Sequence, residues 1–550
     1  MHITKLIISN FKMFENRTFD FNKDINILVG DNESGKSTIL EAIEIGLNCS
    51  YRGKYLASEV TTDLFNIGAV GKYLESDKSA SKLPEICIEL FLDNLPEYRG
   101  ENNSLGEDSH GISLKIVFDE ELSTEYEELI KKPDDIKTIP AEFYKIEWLD
   151  FAWKKIKFMN KKVNGLFIDP ARLHPTYGKN QYISKIIKTT LTKEQHALLN
   201  LNYRQLKEQF NDQPQVANIN KQLDSDKVIT EKDLQIVANV SSTNSVETGL
   251  QLAVDRINFP HIGRGEQNNI QIKLAIQNKA KNIDVIMLEE PENHLSHVNL
   301  SKLVNYIEEH RNEKQLFITT HSSYVLNKLN LNKLCLISEK YKRLNEIEKD
   351  VSRRLKRLPG YDTLRAVLSK KVVLVEGPSD ELILKKMYLV KHGRLPEEDG
   401  IDIIVVRGLG FENYLQIAKH IGTKLNVVKD NDGCYENKIK RYMEMYKEYD
   451  FIEFHSSEDD NLYSLEPAMI ASNSENEVTL NTYAKITLST QTFKIYEKEK
   501  SKVNRIKFLE EWYKDKGGAG KKKVDSAMRI FESDKKIVYP DFLKRALNFD

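Results

Sequence analysis

The sequence has only four cysteines in 550 residues, Cys49, Cys87, Cys335 and Cys434, and no two of them form a C-x-x-C pair. That scarcity excludes a zinc ribbon and a disulfide framework and fits a reducing compartment. No apolar run approaches the roughly 18 residues that a membrane-spanning helix needs. The opening MHITKLIISNFKMFENR lacks the unbroken apolar stretch of a signal peptide. The expectation is a cytoplasmic protein with no membrane partner. An excess of one charge is also missing: 81 Lys+Arg nearly cancel 83 Asp+Glu, leaving a formal net charge of -2. Such a chain does not coat nucleic acid by bulk charge. The exception is local, because residues 491–550 hold 16 Lys/Arg against 10 Asp/Glu, centred on Lys521, Lys522 and Lys523. A patch of this kind can meet phosphates, or simply form a solvated face.

The length exceeds what one hydrophobic core usually organises, so two or three domains are expected. Apolar segments at 6–9, 17–21 and 25–30 read as strands, the last unbroken and therefore buried on both faces, and a helix starting KSTILEAIEIGL follows. Residues 48–135 read as an embellished, partly antiparallel lobe. Residues 181–240 are polar and helical in pattern, the profile of an arm or dimer-forming insertion. The charged stretch between 338 and 371 marks the domain boundary, giving expected domains of 1–365 and 366–550. Beyond it VVLVEG, DIIVVRGLG and LNVVKDNDG alternate with helical patterns, the signature of a smaller parallel sheet with crossover helices.

Gly30-Asp31-Asn32-Glu33-Ser34-Gly35-Lys36-Ser37 satisfies G-x-x-x-x-G-K-[ST] between a buried strand and a helix. Gly30, Asn32 and Gly35 curl the backbone so that its N–H groups, with those of Ser37 and Thr38, face phosphates. Lys36 reaches the β and γ oxygens of ATP, and Ser37 binds Mg2+. In VIMLEEPENHL four apolar residues deliver Glu289 and Glu290 to a strand end, where ligands bind in open α/β sheets. Glu289 is expected to hold Mg2+ and Glu290 to polarise the attacking water. His321, in LFITTHSS, is expected to touch the γ-phosphate from another strand end. LIISNFKMF, the P-loop, EEPENHL and ITTHSS together resemble the ABC-type ATPase domain shared by SMC and recombination-repair ATPases. That resemblance implies a signature segment closing on the partner subunit's ATP, and therefore a homodimer or larger even-numbered assembly. HIGRGEQNN is similar to that signature in Gly263, Gly265 and Gln267 but carries Arg264 in place of its serine and Glu266 in place of a second glycine.

A second constellation follows the boundary. KVVLVEGPSD ends a strand in Glu376 with Asp380 four residues on, and NVVKDNDG ends a later strand in Asp430 and Asp432. Parallel strand ends share one edge, so three or four carboxylates converge, and acids at close range with no His or Cys call for Mg2+ or Mn2+. Paired ions can activate water and stabilise a leaving oxygen in phosphodiester cleavage. The pattern resembles the Toprim domain of type II topoisomerases, primases and a nuclease group. An ABC-type ATPase followed directly by Toprim resembles the overcoming lysogenization defect (OLD) family of ATP-dependent nucleases, which includes the nuclease subunit of the Gabija defence system. The resemblance implies Glu376 as acid/base or ligand, Asp430 and Asp432 as ligands, Asp380 and Glu466 (in YSLEPAM) as further acidic ligands, and Lys523 as a phosphate contact. The implied fold class is α/β: an SMC-like P-loop ATPase with a helical dimerisation insertion, then a smaller Toprim parallel sheet. The implied activity is ATP-regulated, metal-dependent DNA cleavage, with DNA, ATP and a helicase or other defence-system protein as partners. Two other readings stay open: a DNA clamp or sensor whose Toprim edge does not cut, and a topoisomerase- or primase-like activity.

Overall fold

A computed structural model describes residues 1–169, 192–223, 236, 253–277, 283–310, 313–338, 341–345, 351, 353, 362–406, 410–514 and 519–548. The chain divides into two compact units, Met1–His321 with Ile337–Tyr341, and Ser322–Leu336 with Lys342–Asp550.

Two large sheets organise the described residues of the first unit. β1 (Ile3–Phe11) and β2 (Phe14–Asp20) are antiparallel and continue through β4 (Ile86–Leu92) into β5 (Ser109–Phe118) and β6 (Tyr144–Asp150). β3 (Ile25–Val29) leaves this sheet for a parallel one in the order β7-β8-β9-β3, with β7 Gly165–Ile168, β8 Val285–Glu289 and β9 Gln315–Thr319. The three opening strands expected from sequence therefore separate. Their burial gives the reason: β1 keeps half-exposed positions, whereas all of β3 and β9 are buried, as strands covered on both faces must be. α1 (Lys36–Asn48) contacts strands of both sheets. Gly46 permits its close approach, since a Cβ there would lie 2.6 Å from the Leu90 side chain.

The expected arm at 181–240 is described in part. Residues 192–223 form α2 (Lys193–Asn211) and α3 (Pro214–Leu223), the former opened by a Thr192–Gln195 capping box. Leu198, Leu201, Leu206 and Phe210 on α2 are exposed. Apart from Ile236, the remainder of the arm lies outside the described residues. α4 (Arg264–Gln277) carries the signature-like segment.

The second unit is built on four parallel strands in the order β11-β10-β12-β13: β10 Lys371–Val375, β11 Ile401–Val405, β12 Lys424–Val428 and β13 Ile452–His455. Alternation sorts the strand residues onto two cores. Val373 and Val375 face α5 (Pro378–His392) with Ile383 and Leu384, while Val372 and Leu374 face α6 (Phe411–Ile421) with Tyr414 and Leu415. Two helices placed later in the chain, α7 (Leu465–Ser472) and α8 (Ala519–Glu532), supply Met469, Ile470, Ala527 and Ile530 to the first core.

Candidate functional site

In the first unit, three parallel strands deliver their following loops to one edge. After β3 comes the loop Gly30–Ser37. Gly35 has φ +97°, and a Cβ there would sit 2.3 Å from the Phe14 ring and 2.5 Å from Met13 Sδ. Gly35→Ala is therefore expected to displace the loop and weaken binding of a fluorescent ATP analogue at least about tenfold. Unchanged affinity would show that the turn tolerates a side chain. Lys36 is buried, and its Nζ donates to the Gly30 and Asp31 carbonyls at 2.9 and 2.8 Å. Burial pulls its pKa down against the raising effect of Glu290, Asp31 and Glu289. Thr38 is buried behind it and Asn32 is exposed at the loop's rim.

Ser37 Oγ donates to Glu289 Oε1 at the end of β8, so the P-loop hydroxyl and the strand-end carboxylate already meet. Glu290 follows with φ +42°, a conformation costly for a non-glycine residue. Its N–H donates to both the carbonyl and the hydroxyl of Thr319 at 3.1 and 3.0 Å. Its carboxylate is held by Asn293 Nδ2 at 2.7 Å and faces His321 Nε2 at 3.5 Å. Glu292 was not singled out by the sequence reading, although it stands in EEPENHL. Burial raises its pKa, and it accepts from Thr320 Oγ1 at 2.6 Å and the His321 N–H at 2.8 Å, tying the turn after β8 to the loop after β9.

The signature-like segment is also ordered from within. Gln267 is buried and donates to the Phe259 and Ile262 carbonyls, and Asn268 donates to the Pro291 carbonyl. A Cβ on Gly265 would lie 2.4 Å from the His294 carbonyl oxygen, whereas Gly263, Arg264 and Glu266 are exposed. The glycine shared with the family signature thus serves a close backbone approach, and Arg264 stands at the open N-terminus of α4.

In the second unit the carboxylates gather at the C-terminal edge of the sheet. Glu376 follows β10, and its Oε1 accepts from Lys429 Nζ at 3.0 Å. Asp380, in the first turn of α5, accepts from the Gly377 N–H at 3.0 Å. Asp430 follows β12, and Glu466, buried in the first turn of α7, pairs with Lys523 Nζ of α8 at 2.7 Å. Of the three adjacent lysines, Lys523 is the one that reaches this acid, while Lys522 lies over the Trp512 ring. Burial, then repulsion among Glu466, Glu376 and Asp380, pushes the Asp380 carboxyl up to about 7 and the Asp430 carboxyl to about 8. Burial lowers the Lys523 pKa, but its bond to Glu466 and the fields of Asp430 and Asp380 raise it on balance.

Asp432 stands apart from this group. Its φ is +51°, its side chain is half-exposed, and it faces Lys438 at 3.4 Å. Between the two aspartates, buried Asn431 staples the turn by donating to the Ser457 and Asp459 carbonyls. Lys429 was also missed by sequence reasoning, and its one signal was adjacency to Asp430. Among the described residues no three acidic, His or Cys side chains converge at ligating distance. The donor set nevertheless fits a hard divalent cation: it is all oxygen and partly or fully shielded from solvent, and the mutual repulsion that holds the Asp380 and Asp430 carboxyls up is what a cation would relieve.

The sign of the pH dependence follows. Both aspartates bind protons more tightly folded than unfolded, where about 3.9 is usual. Their stabilisation is complete below that value and is lost as pH rises through about 7 and 8. In EDTA, the second unit's thermal midpoint should fall between pH 5 and 8, and Mg2+ should restore more at pH 8 than at pH 6. A midpoint that is flat or rises over that range in EDTA would contradict the cluster's electrostatics.

The fold and the two sites define a P-loop ATPase fused to a Toprim-type sheet. The family described as "AAA ATPase domain" matches residues 1–326, and "Overcoming lysogenization defect protein-like, TOPRIM domain" matches residues 367–432. The chain belongs to the AAA ATPase domain family, and the two parts in this order match an OLD-family ATPase–Toprim fusion. Among curated proteins it is similar to the DNA replication and repair protein RecF of Psychromonas ingrahamii, 46% identical over 114 residues, covering 18% of this chain and 31% of the relative. It is also similar to the Rad50 double-strand break repair ATPase of Nanoarchaeum equitans, 44% identical over 45 residues, covering 8% and 6%. The chain spans under a third of the length of the first such relatives. Solved structures that align include an SMC head bound to the C-terminal winged-helix domain of ScpA (TM-score 0.36, 15% identity, covering 63% of this chain and all of that one). RecF with ATP aligns with TM-score 0.32 and 11% identity over 62% and 99%. Among the described residues no helix is long and apolar enough to cross a membrane.

Proposed function

We propose that the protein is an ATP-regulated, divalent-metal-dependent DNA endonuclease, with an ATPase domain over 1–365 and a Toprim nuclease domain over 366–550. The observation that carries the reading is the meeting of Glu376, Asp380, Asp430 and Glu466 with Lys429 and Lys523 at one sheet edge. Mg2+ or Mn2+ held by Asp380, Asp430, Glu466 and Glu376 supplies charge neutralisation and an acidified water. Glu376 moves a proton to or from the reacting oxygens, and Lys523 and Lys429 exchange their carboxylate partners for the phosphate being cut. Asp432 acts as a ligand only if its half-exposed carboxylate turns inward.

At the other site Lys36 and the loop amides bind ATP phosphates, and Ser37 and Glu289 hold Mg2+. Glu290 orients the attacking water, with His321 beside the γ-phosphate. Closure by a second subunit's signature makes the working form a homodimer or larger even assembly, for which the exposed apolar residues of α2 offer a contact. A cytoplasmic role in anti-phage defence, with a helicase-type partner, fits this reading.

Incubation with supercoiled plasmid and Mg2+ or Mn2+ should yield nicked or linear DNA, and plasmid left intact under both metals would reject cleavage. One observation favours a non-cutting clamp instead: Lys429 and Lys523 already neutralise Glu376 and Glu466. Under that reading Mn2+ titrated into the protein does not bind at the cluster, and plasmid is retained but uncut.

A further inference from the structure

The segment after β6, Phe151-Ala-Trp-Lys-Lys-Ile-Lys-Phe-Met-Asn-Lys-Lys162, holds five lysines and no acidic residue in a chain of nearly balanced charge. It also carries three of the exposed large apolar side chains: Trp153 at 68%, Phe158 at 64% and Met159 at 94%. Neither feature serves the P-loop or the carboxylate edge.

The segment is a built structure. Buried Asp150 accepts from the N–H groups of Ala152 and Lys154 at 3.0 and 2.9 Å, and its own N–H donates to the Lys154 carbonyl, closing a tight turn. Phe151 is fully buried against Ile7 and Phe91 and roots that turn. Trp153 sits at the tip with φ +64°, the left-handed region that disfavours side-chain-bearing residues. The chain then runs back beside β6, with the Ile156 N–H donating to the Trp148 carbonyl, and turns again at Lys157–Asn160 to expose Phe158 and Met159. About 10 Å of extended chain separates the two turns. Lys161 steadies the second turn, bonded to Asn48 Oδ1 at 2.5 Å and standing over the Phe158 ring at 5.1 Å. Lys154, Lys155, Lys157 and Lys162 are exposed and, among the described residues, have no ion-pair partner.

We infer that this loop is a binding platform for single-stranded DNA, with Trp153 and Phe158 stacking on unpaired bases and the four exposed lysines contacting phosphates. The charge pattern selects a polyanion, and outward aromatic faces select one whose bases are not already stacked, since rings standing clear of the surface find no partner in an intact duplex. An exposed tryptophan in a left-handed conformation has no packing reason to be there, and a ligand supplies one. The inference rests on the reading that the protein acts on DNA and goes further, naming the strand state it holds.

The test uses the full chain in EDTA, so that no cutting occurs, with fluorescein-labelled dT20 followed by anisotropy. Trp153→Gly relieves the left-handed strain, so its thermal midpoint should be equal to or above wild type while dT20 affinity falls at least about tenfold. Trp153→Phe should keep most of the affinity. Replacing Lys154, Lys155 and Lys157 together by Gln should reduce the slope of log affinity against log salt by about 2. Wild-type affinity in Trp153→Gly overturns the inference. So does equal or tighter binding of a blunt 20-base-pair duplex. Two further results overturn it: Trp153→Gly detaching the protein from phosphatidylserine vesicles, or splitting its assembly, with dT20 binding intact. Loss of dT20 binding in a protein that cuts no plasmid would leave the inference standing and remove the nuclease reading. Cleavage by a protein whose loop variants bind dT20 normally would do the reverse.

Discussion

Asp430→Asn is expected to lower plasmid cleavage on the order of 10³-fold or more while leaving ATP-analogue binding at wild-type affinity. The side chain follows the central strand β12 and is half-buried beside Glu376, Asp380 and Glu466, with its carboxyl pushed up to about 8. An amide of the same shape keeps the packing but supplies no negative charge to a divalent ion. The same change removes a half-buried, repelled acid, so the metal-free variant should melt at or above the wild-type midpoint at pH 8. Loss of cutting without loss of stability separates a catalytic role from a structural one. Cleavage at the wild-type rate would take Asp430 out of the reaction, and a marked fall in the midpoint would mean that the acid supports the fold. Glu376→Gln should likewise abolish cutting, because it removes the proton carrier facing Lys429.

Glu290→Gln is expected to slow ATP turnover by about 10²- to 10⁴-fold with nucleotide still bound, since the amide fills the same space but cannot accept a proton from water. The geometry makes the substitution informative. Thr319 fixes the Glu290 backbone in its left-handed turn, and Asn293 holds one carboxylate oxygen, leaving the other toward His321. Gln retains the backbone restraints and one accepting oxygen, so ATP should accumulate on the protein rather than dissociate. Turnover at the normal rate would move the role elsewhere, and His321→Ala then becomes the decisive variant. Unchanged turnover in both variants would mean that neither residue of this 3.5 Å pair serves the water.

The local motifs were legible in the sequence because their chemistry depends on consecutive residues. A glycine-bearing loop between a buried strand and a helix, or a carboxylate following four apolar residues, is set by chain connectivity and strand periodicity alone. Hence Gly30–Ser37, Glu289, Glu290, His321, Glu376 and Asp430 fall at the ends of the strands expected for them. The parallel second sheet was also readable, since strands buried on both faces leave unbroken apolar runs.

What the sequence could not determine depends on contacts between segments far apart in the chain. The separation of β1 and β2 from β3 into different sheets follows from which faces are covered, and local pattern does not encode the partner strand. The choice of Lys523 from three adjacent lysines was decided by the rotation of α8 against the first core, which turns that one position toward Glu466. Asp432 shows the opposite case: its spacing from Asp430 suggested a shared ligand set, but the Asn431 staple and a left-handed turn direct it toward Lys438. Lys429 and Glu292 gain their partners across 53 and 29 residues of chain. The sequence by itself determined which chemical groups stand at the strand ends; only the tertiary structure decided which of them meet, because meeting requires helix rotations and turn conformations fixed by packing rather than by order along the chain.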